Sequence, residues 1–419
     1  MLSTILRKSA QLGAAFALFA SAGSATAGNF SVVHSFSGTD GAHPYAGVVW
    51  DKDRNLVGTT NIGGQGCAPY GCGVVYKLAP DGTQTVLYYF QGGNDGARPH
   101  ADSLVMDKSG NFYGTTHSGG NTGCGGNGCG TVFKLAPDGT ETILHVFTGG
   151  KDGGTPYSGL AIDEKGNLYG TGYVGGDLTC NAPTGCGNIY KISAKGKFSV
   201  LYGFKAGADG AAPEGAPAIG SDGNIYGTTL LGGTGSCQNS LYIMGCGVVF
   251  QVTPKGDYKV IYTFKNTQDG DFPQSAPVMG SDGNLYGTTY LGGPAACNCG
   301  TIYKLSLDGT KTILHSFNGG DDGVFPYSGV LFGLDGNIYG STNAGGAHCQ
   351  RGACGTVFRM TPEGQLTTLH VLDGKGDGEF IDSALVFDRA QKYLYGTGVF
   401  SGSSSCTQGC GTIFRVKAN

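Results

Sequence analysis

Glu214, paired with Asp102 or Asp382, could supply the two carboxylates that a glycosidase sets on either side of one scissile bond. Nothing in their spacing demands that role. His43, His100, His117 and His348 stand outside any repeated histidine position. They are the candidates for acid–base or metal work, although no fixed metal-ligand spacing joins them. Fourteen cysteines fall in seven close pairs: Cys67/Cys72, Cys124/Cys129, Cys180/Cys186, Cys237/Cys246, Cys297/Cys299, Cys349/Cys354 and Cys406/Cys410. No second Cys or His pair recurs beside them, as four-ligand structural zinc would need. Disulfides within each pair are therefore expected. Cys297 and Cys299 have one residue between them and are the pair least expected to close.

Other reactive residues recur too often to form one active site. An Asp-Gly step occurs at Asp40, Asp95, Asp152, Asp209, Asp269, Asp322 and Asp377. It reads as a side-chain-capped turn whose glycine takes a positive φ angle. Calcium is the one cofactor these steps suggest, and a single carboxylate per step is a thin ligand set for it. His34, His145, His315 and His370 share a position with Tyr88, Tyr202 and Tyr262, which suggests a structural hydrogen bond. A second position does vary. After a recurring proline stand Tyr45, His100, Tyr157, Glu214, Gln274 and Tyr327, with Ile381 where the proline is lost and Asp382 beside it. Varied residues on a constant frame suit a ligand-shaped surface, and equally an unconstrained one. Tyrosine combines an apolar face with a hydrogen-bonding tip, which fits glycan or peptide contacts. His43 and His100 fall next to this set.

These positions are held by a sevenfold repeat. A Cys-Gly step leads into an aromatic-bearing segment at Gly73, Gly130, Gly187, Gly247, Gly300, Gly355 and Gly411, every 53 to 60 residues. One copy, Pro156 to Phe204, reads as four strands: "PYSGLAID", "NLYGTGYVGG", "GNIYKIS" and "KFSVLYGF". Short Gly-bearing turns join strands one and two and strands three and four, as hairpins require. No segment has a convincing 3.6-residue period. The last copy stops at "GTIFRVKAN" without its fourth strand, and "NFSVVHSF" (Asn29–Phe36) supplies that strand from the other end. The fold expected is all-β: a seven-bladed β-propeller of four antiparallel strands per blade, closed by the N-terminal strand. An open solenoid has no use for the split copy. In a closed ring the long Cys loops and the inter-blade loops share one face, and the tight turns lie on the other. Scaffold-held loops are where binding residues concentrate.

Composition narrows the function. Charged residues are 13% and the formal net charge is -4, which argues against nucleic acid. Residues 1–27 read as a secretory signal peptide: Arg7 and Lys8, then Leu12–Ala20, then Ala25-Thr26-Ala27. Residues 28–419 form the single mature domain, with no membrane span after cleavage. It is expected to be a secreted or periplasmic monomer. No serine-hydrolase elbow, Walker loop or dinucleotide fingerprint stands in a supporting context. Trp50, the only tryptophan, reads as packing.

The chain resembles the choice-of-anchor tandem repeat GloVer family of exported bacterial proteins. The resemblance rests on "GNLYGTT" (Gly283–Thr289), "CGTVFKLAPDGT" (Cys129–Thr140), "ILHSF" (Ile313–Phe317) and the loop Asp322, Gly323, Pro326. It implies a propeller-like exported protein and no established reaction. The family name implies C-terminal anchors in some members; with Asn419 as the last residue, surface attachment by that route is not expected for this sequence. The leading expectation is a non-enzymatic module that binds a glycan or protein on the Cys-loop face. The alternative is an enzyme with a channel-mouth site: a polysaccharide lyase, a glycosidase or a quinone-dependent dehydrogenase. A structural envelope component is the third reading.

Overall fold

The computed structural model describes residues 29–100, 103–237, 245–265, 267–294, 297–346 and 354–418. The proposed signal peptide, Asp102, His348 and Cys349 lie outside the described residues. Seven four-stranded antiparallel sheets follow one another around a ring. Blade one contains Val49–Trp50, Leu56–Thr60, Val74–Leu78 and Gln84–Tyr89. Blade seven contains Val386–Phe387, Tyr393–Gly398 and Thr412–Lys417, and Phe30–Ser35 pairs with Thr412–Lys417 as its fourth strand.

The innermost strand is shorter than the sequence pattern suggests. In each blade it pairs over only two residues, such as Ala161–Ile162. Side chains replace the missing ladder. Ser158 Oγ lies 2.8 Å from Thr171 Oγ1 on strand two, and Ser275 and Thr288 repeat the pairing at 3.2 Å. Strand-two hydroxyls then reach the next blade. Thr115 donates to Ser158 O at 2.7 Å, Thr228 to Ser275 O at 3.0 Å and Thr288 to Ser328 O at 3.0 Å. Thr397 donates to Ala46 O at 3.1 Å and carries this buried belt across the seam between blades seven and one. Buried polar groups must be paired, so the belt ties each blade to its neighbour.

Seven apolar clusters fill the seven blade interfaces. Each strand-three aromatic lies over a strand-two glycine: a Cβ added at Gly170 would sit 2.3 Å from Tyr190 Oη, and one at Gly227 would sit 2.3 Å from Phe250 Cζ. That close approach explains the repeated Tyr-Gly-Thr of strand two. A bulge interrupts the pairing of strands three and four in every blade. The bulged residues are Val33, Leu87, Leu144, Leu201, Ile261, Leu314 and Leu369, and each packs into one of the interface clusters.

The residue after each bulge is the recurring His or Tyr, and it meets the Asp of the inter-blade loop. His34 Nε2 is 3.1 Å from Asp40, and His145 Nε2 is 3.1 Å from Asp152. Tyr88, Tyr202 and Tyr262 donate to Asp95, Asp209 and Asp269 at 2.7, 2.9 and 2.8 Å. His315 lies 3.0 Å from Asp322, and His370 lies 3.5 Å from Asp377, the longest of the set. The same carboxylates accept main-chain N–H groups, including those of Gln91, Thr148 and Lys205. The turn-capping Asp and the structural His/Tyr hydrogen bond are thus one device, and the sequence alone shows them as two. Among the described residues no group of three or more His, Cys, Asp or Glu is assembled that could hold a metal ion.

Candidate functional site

The Cys-Gly steps build the mouth of the central channel. Six disulfides are described in full: Cys67–Cys72, Cys124–Cys129, Cys180–Cys186, Cys237–Cys246, Cys297–Cys299 and Cys406–Cys410. The pair least expected to close, Cys297 and Cys299, is thus joined like the others. The expected bridge between Cys349 and Cys354 is not among the six. Cys354 is fully buried and disulfide-bonded, but Cys349 lies outside the described residues, so that pairing rests on the sequence.

In each blade the carbonyl of the second cysteine accepts an N–H from the residue before the next blade's proline, or before Ile381 where the proline is lost. Cys410 O accepts from His43 at 2.9 Å, Cys72 O from Arg98 at 2.8 Å, Cys129 O from Thr155 at 2.7 Å and Cys299 O from Phe325 at 2.8 Å. Cys354 O accepts from Phe380 at 2.9 Å, so blade six keeps the same frame. The glycine after the cysteine leaves room for that proline. A Cβ on Gly187, whose φ is +92°, would sit 2.6 Å from both Gly172 O and Pro213 Cδ.

Three tiers of variable side chains rest on this frame. The first is the residue before the proline: His43, Arg98, Thr155, Ala212, Phe272, Phe325 and Phe380 all have φ between 43° and 59°. Non-glycine residues in that region carry strain, which collects at functional rims. The second is the post-proline ring. Ile381 fills the proline's place, with its Cγ1 3.3 Å from a Cβ built on Gly355. The seventh ring residue is therefore Asp382, a correction to Ile381. The third tier, at the end of strand two, is Asn61, His117, Tyr173, Leu230, Tyr290, Asn343 and Val399, of which the sequence reading singles out only His117. Backbone bonds such as His117 N to Arg98 O and Tyr290 N to Phe272 O tie it to the first tier. Its signal was available, since it is the varying residue after the nearly constant Gly-Thr-Thr.

The tiers form a continuous aromatic arc. Tyr45 stacks on His100 with ring centroids 4.4 Å apart, and His100 meets Tyr157 edge-on at 5.4 Å. His117 packs on Tyr157 at 4.6 Å, and Tyr157 on Tyr173 at 5.0 Å. Across the mouth, Tyr290 lies against Phe325 at 5.0 Å and Tyr327 at 6.2 Å. Carboxylates complete the ring. Glu214, through its charge, holds the Tyr157 and Tyr173 hydroxyls above their ordinary range, after the larger effect of burial. Asp382 does the same to Tyr45, and both acids act on Tyr290. Burial pushes the Asp382 carboxyl up to about 6, opposed by a hydrogen bond from Asn343 Nδ2. Burial also pushes His100 down to about 4, helped by His117, and His117 down to about 4, helped by Arg98. Both imidazoles are neutral near pH 7. His43 is lowered by burial, stands edge-on to Phe400 at 4.9 Å, and its Nε2 has no hydrogen-bond partner. Gln274 Oε1 is also buried without a partner.

Below the ring the channel narrows to an apolar cavity of about 230 Å³ lined by strand-one residues of six blades, including Leu104, Val105, Ala218, Val278 and Leu331. Among the described residues no charged side chain lines it. The structure thus brings Tyr45, His100, Tyr157 and His117 into direct contact, and packs Tyr327 against Tyr290 across the mouth. Asp102 and His348 lie outside the described residues.

The sequence profile of the Gloeobacter/Verrucomicrobia repeat matches residues 8–242 and 235–419. The chain belongs to the Gloeobacter/Verrucomicrobia repeat family. The tandem match agrees with the repeated blades that carry the mouth. No curated protein sequence matches the chain. Among solved structures, the extracellular domain of a putative one-component system from B. thetaiotaomicron has a TM-score of 0.54 at 10% identity, over 92% of this chain and 39% of that one. A puromycin-hydrolyzing peptidase of Mycobacterium tuberculosis has a TM-score of 0.50 at 11% identity, over 86% and 50%. A puromycin hydrolase has a TM-score of 0.50 at 12% identity, over 88% and 53%. This chain spans between about two-fifths and half of those three proteins. At such identities the likeness is one of fold.

Proposed function

We propose that this exported propeller binds a saccharide at the channel mouth on its Cys-loop face. The observation that carries the reading is the arc Tyr45–His100–Tyr157–Tyr173 facing Tyr290 and Tyr327, with Asp382, Glu214 and Gln274 between them. Flat rings suit the apolar faces of sugars, and hydroxyl, amide and carboxylate groups suit their hydroxyls. Neutral imidazoles add donors and acceptors without charge. The disulfide-anchored carbonyls hold the rim in place before a ligand arrives, which lowers the ordering cost of binding. A glycan array with the mature protein tests this reading. Binding is expected, with affinity for the recognised glycan falling at least about tenfold in Tyr157→Ala. Silence across the array, with a protein partner recovered through the same face, would remove the sugar.

Asp382 favours a second, enzymatic reading. An acid raised to about 6 keeps part of its proton near neutral pH and can deliver it to a glycosidic oxygen, with Glu214 as the second carboxylate. Under that reading Asp382→Asn abolishes turnover and preserves binding. Wild-type turnover falls as pH rises past about 6, because the acid form is lost. No cleavage of any glycan that binds leaves the module reading alone.

A further inference from the structure

A second concavity lies away from the channel mouth. It lies on the tight-turn face, between blades seven and one, with a volume of about 1020 Å³. Its wall carries Trp50, Phe387 and Tyr395, and its rim carries Arg54, Arg389 and Arg415. The chain has only seven arginines, so three of them meet at one groove. We propose that this groove is a second ligand site, for a saccharide bearing a carboxylate or sulfate group.

The two blades that flank the groove are the two that break the sevenfold frame. In five blades the turn from strand one to strand two holds a glycine with φ between 75° and 92°: Gly110, Gly166, Gly223, Gly283 and Gly336. Blade one places Arg54 there, at φ 67°. Blade seven replaces the turn with a longer one containing Arg389, and puts Gln391 at φ 51°. A β-carbon in that region is strained where glycine is not, so both blades hold side chains at a backbone cost that glycine would remove. The five regular blades also clip the turn: Tyr113, Tyr169, Tyr226, Tyr286 and Tyr339 each donate to the turn aspartate. Blade one has Val57 in place of that tyrosine. Blade seven has Tyr395, which among the described residues makes no such bond and instead meets Trp50 edge-on at 5.1 Å.

The lining is ordered for an anion with a flat body. The Trp50 indole N–H donates to Phe387 O at 2.7 Å, which fixes the ring as a half-buried wall. Arg415 donates from Nε to Ser31 Oγ at 2.8 Å and lies 5.0 Å over the Tyr393 ring. Among the described residues none of the three arginines pairs with a carboxylate. The nearby acids are engaged by their own turns: Asp51 accepts from Asp53, Asn55 N and Asn55 Nδ2, Asp81 from Thr83, and Asp388 from Lys392 and Tyr393. Lys52 is drawn off to Lys108 O in blade two. A guanidinium matches carboxylate or sulfate with paired N–H groups, and an indole or phenol wall takes a pyranose face. With a net charge of -4 the surface as a whole does not attract a polyanion, so the ligand is a short acidic sugar and not a nucleic acid.

Trp50 is the only tryptophan, so selectively excited tryptophan emission, as distinct from tyrosine emission, reports this groove alone. Mature protein is titrated with an oligogalacturonate, a chondroitin sulfate tetrasaccharide, a neutral cello-oligosaccharide and inorganic sulfate. The expected result is a saturable change in Trp50 emission with one of the two acidic sugars, weakened by added salt and absent with the neutral sugar. Arg54→Gly restores the frame residue and keeps the fold, and it and Arg389→Ala each reduce affinity at least tenfold. Tyr157→Ala, at the channel mouth, leaves this response unchanged, so the two sites fail or succeed separately. No response to either acidic sugar, an equal response to the neutral one, equal affinity for sulfate alone, or unchanged affinity in both arginine variants would overturn the proposal.

Discussion

Glu141 stands where its counterparts donate a hydrogen bond. At the start of strand four, or close to it, Gln84, Tyr258, Lys311 and Thr368 donate to the carbonyl of the preceding Asp-Gly loop. Glu141 can donate only when protonated. Its Oε1 is buried without a partner, and burial followed by the charge of Asp95 pushes its carboxyl up to about 7. A carboxyl raised in the folded state binds its proton more tightly there than in the unfolded chain. Its favourable contribution is complete below the ordinary value of 4.5 and is lost as pH rises through about 7. Glu141→Gln carries the donor at every pH. Thermal unfolding is expected to coincide with wild type at pH 4 and to shift to higher temperature at pH 8. A variant less stable than wild type at pH 8 would show that Glu141 is not a strained acid. The seven Asp-Gly steps, the strand-four His and Tyr residues and the post-proline ring can all be picked out by their spacing. That His34 bonds to Asp40 depends on the bulge, and that Tyr173, Tyr290 and Asn343 join the mouth depends on neighbouring blades; the sequence marks those three only as varying residues after the nearly constant Gly-Thr-Thr.

The N-terminal strand Phe30–Ser35 is the element on which closure depends. It carries the same bulge as the other fourth strands, at Val33, and the same His–Asp pair, at His34 and Asp40. Its first residue, Phe30, stacks on His370 of blade six with centroids 3.8 Å apart, as Phe198 stacks on His145 at 3.7 Å. Phe30→Ala removes that stack and part of the packing against Phe414. Because Phe30 is half-buried, a loss of about 2 kcal/mol is expected in denaturant unfolding, below the 3–5 kcal/mol typical of a fully buried phenylalanine. No change would mean that the terminal strand is dispensable. The split repeat made this strand's role readable in advance. The length of strand one was not: eight residues that look extended pair over only two, because Ser–Thr hydroxyl bonds take over near the axis.

Across the whole molecule, one frame serves two unlike faces. The disulfide loops anchor a polar, aromatic mouth above an apolar floor, and the tight-turn face is regular except at the seam where the ring closes. Blade number, strand order and the shared face of the long loops followed from the repeat. The ligand did not, because a repeat marks what stays constant and recognition resides in what varies. The most direct test is hydroxyl-radical footprinting of the mature protein with and without a glycan taken from the array. Protection is predicted at Tyr45, His100, Tyr157, Tyr290 and Tyr327, which share the mouth. Protection confined to other surfaces, with these five residues as reactive as in the free protein, would contradict the account.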